Sequence, residues 1–220
     1  MKITPVAYVH SDFESKFAIP RQPGLVTSLK AEIILEKEYR KDGILRGLEG
    51  FSHLWLIWGF NENRNSSWHP TVRPPRLGGN ERIGVFASRS PFRPNPLGLS
   101  VVKIEEVSKD RIIVSGADLA DQTPVYDIKP YVPYTDSVPD AKEGFARKET
   151  LPHFPVVIPE EEKKKMPEDK ITSLIGILSQ DPRPAYQHDP KRIYGFGFAG
   201  YEIRFTVRNN MVTVLSIEKE

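Results

Sequence analysis

The chain of 220 residues contains no cysteine. Disulfides, thiolate nucleophiles and cysteine-bound zinc are therefore excluded. Long apolar runs are also missing: none reaches the roughly 20 residues of a bilayer-crossing helix. The first residues, Met1, Lys2, Ile3, Thr4 and Pro5, hold no apolar signal region, so a cytoplasmic protein is the expectation. The sequon at Asn65, Ser66 and Ser67 is then a coincidence. Charge of one sign is nearly balanced, with a net +2. The five histidines, at 10, 53, 69, 153 and 188, show no metal-ligand spacing. Neither a G-x-S-x-G elbow nor a phosphate-cradling loop occurs.

What is abundant is proline, 20 of 220 residues against roughly 5% in average usage. That argues for many loops and against a helical bundle. Hydrophobic residues make up 39% and charged residues 27%, enough apolar material for a packed core. The length suits one large domain, or one domain and a smaller second. The small net charge hides an uneven distribution. Residues 64–103 carry seven basic residues and one acid, Glu81, a local +6. Arginine clustered on loops suits phosphate or carboxylate ligands, RNA among them.

The most constrained stretch is Ser88-Arg-Ser-Pro-Phe-Arg-Pro-Asn-Pro-Leu-Gly-Leu-Ser100. Pro91, Pro94 and Pro96 each fix φ, remove a backbone donor and push the preceding residue out of the helical region. The stretch reads as a stiff extended loop that presents Arg89, Ser90, Arg93 and Asn95 between strands at 83–87 and 99–107. Further strands are expected at 3–10, 30–36, 53–60, 111–117 and 124–131. The run at 53–60 reads as buried on both faces. Many short strands with few helices point to an antiparallel barrel or sandwich. Residues 138–160, rich in proline and charge, read as a linker between a domain at 1–137 and a small α+β domain at 161–220. In the latter, residues 160–165 and 171–178 read as helical, and an alternating hairpin turns at Asn209 and Asn210. Gly195-Phe-Gly-Phe-Ala-Gly200 spells G-x-G-x-x-G, but an alternating strand follows it where a dinucleotide site needs a helix. Its glycines permit a bend.

Four segments together carry a resemblance: Ile19-Pro-Arg-Gln-Pro-Gly-Leu25; Thr71-Val-Arg-Pro-Pro-Arg-Leu-Gly-Gly79 running on to residues 89–100; Asp118-Leu-Ala-Asp-Gln-Thr-Pro-Val-Tyr-Asp-Ile-Lys-Pro-Tyr131; and Asp181-Pro-Arg-Pro-Ala-Tyr186. This resembles the TrmO family, also called TsaA or YaeB, S-adenosylmethionine-dependent tRNA methyltransferases. The resemblance implies a mainly β protein, with a single-sheeted, antiparallel-rich β-barrel and a small α+β C-terminal domain. It implies a homodimer with cofactor sites near the subunit interface. It also implies N6-methylation of N6-threonylcarbamoyladenosine at position 37 of threonine tRNA. Carried over by motif, the cofactor residues are Pro23, Gly24, Leu25, Asn61, Glu62, Arg89, Leu99, Asp118 and Leu119. Arg183 would grip the threonylcarbamoyl carboxylate, Tyr186 would stack on the adenine or donate to it, and Asp127 or Asp181 would take the N6 proton. Arg73, Arg76, Arg82, Arg93 and Lys129 would meet RNA. Two readings compete: a tRNA- or RNA-binding module without catalysis, and a barrel methyltransferase acting on a small molecule.

Overall fold

The computed structural model describes residues 2–60, 67–74, 77–146, 151–183 and 189–220. The strands in chain order are β1 (Ala7–Ser11), β2 (Lys30–Leu35), β3 (His53–Gly59), β4 (Thr71–Val72), β5 (Ile83–Gly84), β6 (Leu97–Val107), β7 (Arg111–Ser115), β8 (Pro124–Pro130), β9 (Val156–Val157), β10 (Tyr194–Phe198), β11 (Tyr201–Arg208) and β12 (Met211–Lys219). The α-helices are α1 (Pro133–Asp136), α2 (Glu160–Lys163) and α3 (Glu168–Ser179).

Six strands close a barrel in the order β1, β2, β7, β6, β3, β8, all paired antiparallel. The period-two pattern explains which residues fill it. Ala31, Ile33 and Leu35 of β2, Leu54, Leu56 and Trp58 of β3, and Ile112 and Val114 of β7 point inward and are buried. β3 departs from the expected strand buried on both faces: His53, Trp55 and Ile57, on its other face, are only partly covered. The expected strand at 83–87 is also shorter. It pairs for two residues with β4 and then tightens into a 3₁₀ turn at Val85–Ala87, where the Ser88 hydroxyl donates to the Val85 carbonyl at 2.8 Å.

The C-terminal sheet runs β10, β11, β12, β9. Val156 and Val157, inside the segment read as a linker, form its parallel edge strand against Val212 and Thr213, and Ile158 is buried beneath. Pro167 stands at the N-cap of α3, where the missing backbone donor costs the helix nothing. The G-x-G-x-x-G stretch is β10 and a tight turn into β11, with Ala199 and Gly200 both at positive φ, 54° and 77°. Asn209 and Asn210, at 50° and 59°, turn the next hairpin the same way.

The connection between β1 and β2 belongs to both halves. Phe13, Ala18, Val26 and Leu29 are buried in the C-terminal core rather than in the barrel. The Phe13 ring lies 5.4 Å from Phe198 and the Phe17 ring 6.1 Å from Phe196. Polar ties reinforce the seam: the Lys170 ammonium donates to Asp12, the Ser173 hydroxyl to that of Ser28 at 3.1 Å, and the Ala199 amide to the Asp12 carbonyl at 2.9 Å. Gly176 of α3 lets the helix lie directly on Val26, since a Cβ there would stand 2.6 Å from a Val26 methyl. Gly176→Ala should therefore destabilise the protein by about 1–3 kcal/mol through overpacking, despite alanine's better helix propensity. Val26→Ala in the same chain should recover part of that loss. Urea denaturation of the two single variants and the double variant measures the coupling; additive losses would show that the contact does not limit the seam.

Candidate functional site

A cleft of about 550 Å³ opens at the barrel end where β3 finishes and β6 begins. Three connections build its walls: residues 16–22 of the β1–β2 excursion, the proline-rich residues 89–95, and residues 118–123 after β7. Trp58, Phe60, Leu97, Gly98 and Leu99 supply the floor and one side. The proline-rich loop is held from within. Arg93 donates to the Ser88 carbonyl at 3.1 Å, and the Ser90 and Phe92 amides donate to the Ser88 and Ser90 hydroxyls at 3.3 Å. Phe60 ties its end down by donating to the Pro96 carbonyl at 3.0 Å. Arg89 reaches across the rim and donates to the Gln22 side chain. Gly98 makes room for the Trp58 indole, which a Cβ would meet at 2.1 Å.

Among the described residues lining the cleft, four are cationic, Lys16, Arg21, Arg89 and Arg93, and one is acidic, Asp118. The Trp58 indole N–H donates to the Ser100 hydroxyl at 3.0 Å, and that hydroxyl donates to Asp118 Oδ1 at 2.7 Å. Burial pushes the Asp118 carboxyl up to about 6; the Ser100 hydrogen bond, its own backbone amide and the Arg89 charge oppose the shift without cancelling it.

The expected cofactor residues Arg89, Leu99, Asp118 and Leu119 all line this cleft. Pro23, Gly24 and Leu25 do not. Gly24, at φ 76°, is pinned to the barrel by donating to the Gly116 carbonyl at 2.8 Å, and the residues just before it, Pro20, Arg21 and Gln22, face the cleft instead. Asn61, Glu62, Arg76 and Tyr186 lie outside the described residues. Trp58, Ser100 and Lys16 were not anticipated. Ser100 left one readable signal: it is the polar residue at an inward position of β6, in step with Val102.

The two acids expected to take a proton are placed otherwise. Asp127 pairs with Lys129 at 2.8 Å on the partly exposed side of β8. Asp181 receives the Arg183 fork, Nε at 2.7 Å and Nη2 at 3.0 Å. Neither lines the cleft. Each is paired with a cation of its own segment. The same pairing occupies Arg183. Its fork is filled by a carboxylate of its own motif, its side chain is only 8% exposed, and its guanidinium lies 6.0 Å from the Phe154 ring centroid. Its carbonyl accepts from Arg21 at 3.3 Å, so the motif braces the wall of the cleft. Of the residues expected to meet RNA, Arg73 and Arg82 are exposed, with Arg82 donating to Thr71 at 3.3 Å, whereas Arg93 is built into the cleft.

Asp118 should leave a signature in stability. Its carboxyl ionises at 3.8 when unperturbed and at about 6 in the folded protein. The buried charge therefore costs stability that is fully present above pH 6 and is relieved as pH falls towards 4. Asp118→Asn should be more stable than the parent at pH 8, by at most about 3 kcal/mol before solvent screening. That advantage should fade by pH 4. Paired urea titrations across this range test it; a difference that does not change with pH would show that burial is not what holds the proton.

Comparison with known proteins bears on this cleft. A family model described as the tRNA-methyltransferase O N-terminal domain matches residues 8–137, and one described as the TrmO C-terminal domain matches residues 155–220. The tRNA (adenine(37)-N6)-methyltransferase of Escherichia coli (strain K12) is 42% identical over 225 aligned residues, covering 97% of this chain and 96% of its own. A Pseudomonas aeruginosa protein provisionally named as an S-adenosylmethionine-dependent methyltransferase is 40% identical, covering 98% of this chain and 96% of its own. The crystal structure of TrmO from Pseudomonas aeruginosa superposes with a TM-score of 0.80 at 34% identity, over 99% of this chain and 98% of that one. The two matched models follow one another along nearly the whole chain, and the first spans every strand whose end opens onto the cleft: this chain belongs to the tRNA-methyltransferase O family.

Proposed function

We propose that this protein methylates N6 of adenosine 37 in tRNA, with S-adenosylmethionine as cofactor and threonine tRNA carrying N6-threonylcarbamoyladenosine as substrate. The observation that carries the reading is the cleft with one acid among four cations, walled by rigid loops. Its donor set fits the cofactor. Leu99, Leu119, Trp58 and Phe60 offer apolar surface to an adenine ring, Asp118 offers an acceptor to a ribose hydroxyl or an amino group, and Arg89 offers a fork to a carboxylate. When bound, S-adenosylmethionine supplies an electrophilic methyl group. The chain's task is then to orient it and keep the acid away from the sulfonium, where a carboxylate would stabilise the ground state and raise the barrier. The prolines and internal hydrogen bonds of residues 88–96 fix that orientation before binding, so less ordering is lost when the ligand arrives.

Arg73, Arg76 and Arg82, on the long connection between β3 and β6, are the phosphate contacts of this reading, with Lys129 further round the barrel. A homodimer in the cytoplasm completes it. Leu99, in the cleft lining, is 51% exposed and Phe86, in the 3₁₀ turn before the proline-rich loop, 79%, apolar surface of the kind a second subunit covers.

The deciding experiment is nucleoside mass spectrometry of threonine tRNA after incubation with the protein and S-adenosylmethionine. The expected product is the N6-methylated threonylcarbamoyl nucleoside, with little turnover of tRNA lacking the threonylcarbamoyl group. Binding of tRNA without methylation would favour an RNA-binding module, and cofactor binding without tRNA turnover a small-molecule enzyme. Two variant sets assign the surfaces. Arg89→Ala should weaken S-adenosylmethionine binding about tenfold to a hundredfold, the size of a charged hydrogen bond, and lysine should rescue poorly for want of the planar fork. Unchanged affinity would remove Arg89 from the cofactor site. Charge reversal at Arg73, Arg76 and Arg82 together should weaken tRNA binding and flatten its salt dependence while sparing cofactor affinity. An unchanged salt slope would mark the patch as a solvated face.

A further inference from the structure

Ser100 is buried, with 1% of its surface exposed, at an inward position of β6 among apolar neighbours. Its hydroxyl is not free to rotate between partners. An indole N–H can only donate, so the hydrogen bond from Trp58 at 3.0 Å makes the Ser100 oxygen an acceptor. The serine proton is then left for Asp118 Oδ1, 2.7 Å away. The direction of the whole chain is set by the one member that cannot reverse. Trp58 is itself held in place: it packs over Gly98, where no side chain could stand, and edge-on to Phe60 with ring centroids 4.4 Å apart. The relay therefore runs from the barrel core to the cleft wall.

From this geometry we infer that Ser100 is a positioning residue for the cofactor cleft: aligned by Trp58, it holds Asp118 Oδ1 and leaves Oδ2 as the oxygen offered to the ligand's hydroxyl or amino group. The inference rests on the cofactor reading above and adds Ser100, to which that reading gives no role. It fits the charges that surround Asp118. Lys16 and Arg21 face the cleft from the β1–β2 excursion, and Arg89 and Arg93 from the loop before β6. Arg89 acts on Asp118 through its charge. Ser100 is the described side chain that donates to it. An acid steadied by a neutral hydroxyl keeps its second oxygen available, whereas a bidentate arginine would occupy both.

The test follows Asp118 with and without ligand. Isothermal titration of S-adenosylmethionine from pH 5 to pH 8.5 should show affinity falling as Asp118 takes up a proton, near pH 6 in the parent protein. Asp118→Asn should lose that dependence. Ser100→Ala removes a hydrogen bond that favours the ionised carboxylate, so the midpoint should move upward by about one pH unit, and affinity at pH 7 should fall about tenfold. Trp58→Phe keeps the hydroxyl but frees its direction and should shift the midpoint less, in the same sense. The carboxyl carbon of Asp118, titrated by NMR without ligand, should report the same order: parent lowest, Trp58→Phe next, Ser100→Ala highest. A residue that merely fills space would leave these midpoints alone. Identical midpoints in the parent and Ser100→Ala, by either readout, would overturn the inference. Absence of S-adenosylmethionine binding by the parent, with the NMR order intact, would instead sink the cofactor reading and leave the relay standing.

Discussion

Phe13, Ala18, Val26 and Leu29 lie between two barrel strands in sequence, yet they are buried with Phe196, Phe198, Leu174 and Ile177 in the C-terminal core. Removing Phe13, Val26 or Leu29 from water contributes about 1.5–3 kcal/mol each, so the excursion is held by the second half of the molecule as firmly as a core element. Everything at the cleft depends on it. Lys16, Ile19, Pro20, Arg21 and Gln22 form one wall and sit on the same short length of chain. Their placement is set by Phe13 and Phe17 on one side and Val26 under α3 on the other. The barrel supplies the floor, but the wall opposite the proline-rich loop exists only because the C-terminal core anchors it.

This arrangement reassigns the Asp181-Pro-Arg183 stretch. The Asp181–Arg183 pair is local, spanning two residues, and its geometry is bidentate. Such a clamp fixes the backbone of the motif, whose Arg183 carbonyl then accepts from Arg21 in the cleft wall. The chemistry of a mostly buried arginine with a filled fork is that of a brace. Asp118 follows the opposite logic. A neutral hydroxyl donates to it, burial disfavours its charge, and the nearby Arg89 charge offsets that cost only in part.

How much of this could be read from residues follows a physical rule. Alternation exposed the hairpin of β11 and β12, because apolar residues of β11 buried on one face are interleaved with polar ones. The proline-fixed loop and the turn at Asn209 and Asn210 were legible because backbone sterics act locally. The small C-terminal unit was legible as a helix followed by a hairpin. The parallel strand at Val156 and Val157 was not: two residues have no period, and their partners lie some fifty residues away. The tightening of Val85–Ala87 into a 3₁₀ turn was likewise hidden inside an apolar run that reads as strand. The allegiance of residues 13–29 could not be seen at all, since nothing in a hydrophobic side chain says which of two cores will receive it. Motif likeness named Arg89, Leu99, Asp118 and Leu119, which share one cleft, but passed over Trp58 and Ser100, whose place in it is a pair of distances.

The seam also orders events during synthesis. The last barrel strand ends at Pro130, so the barrel can close before the C-terminal sheet has been made. The excursion cannot dock then, because its hydrophobic partners begin near Ile158 and end at Ile217. Contacts of such separation form late, after the entropy of a long loop has been overcome. A nascent chain thus carries a finished barrel with an unfinished cleft until its last strand emerges. The cleft thus takes its final shape only when β12 has joined the C-terminal core.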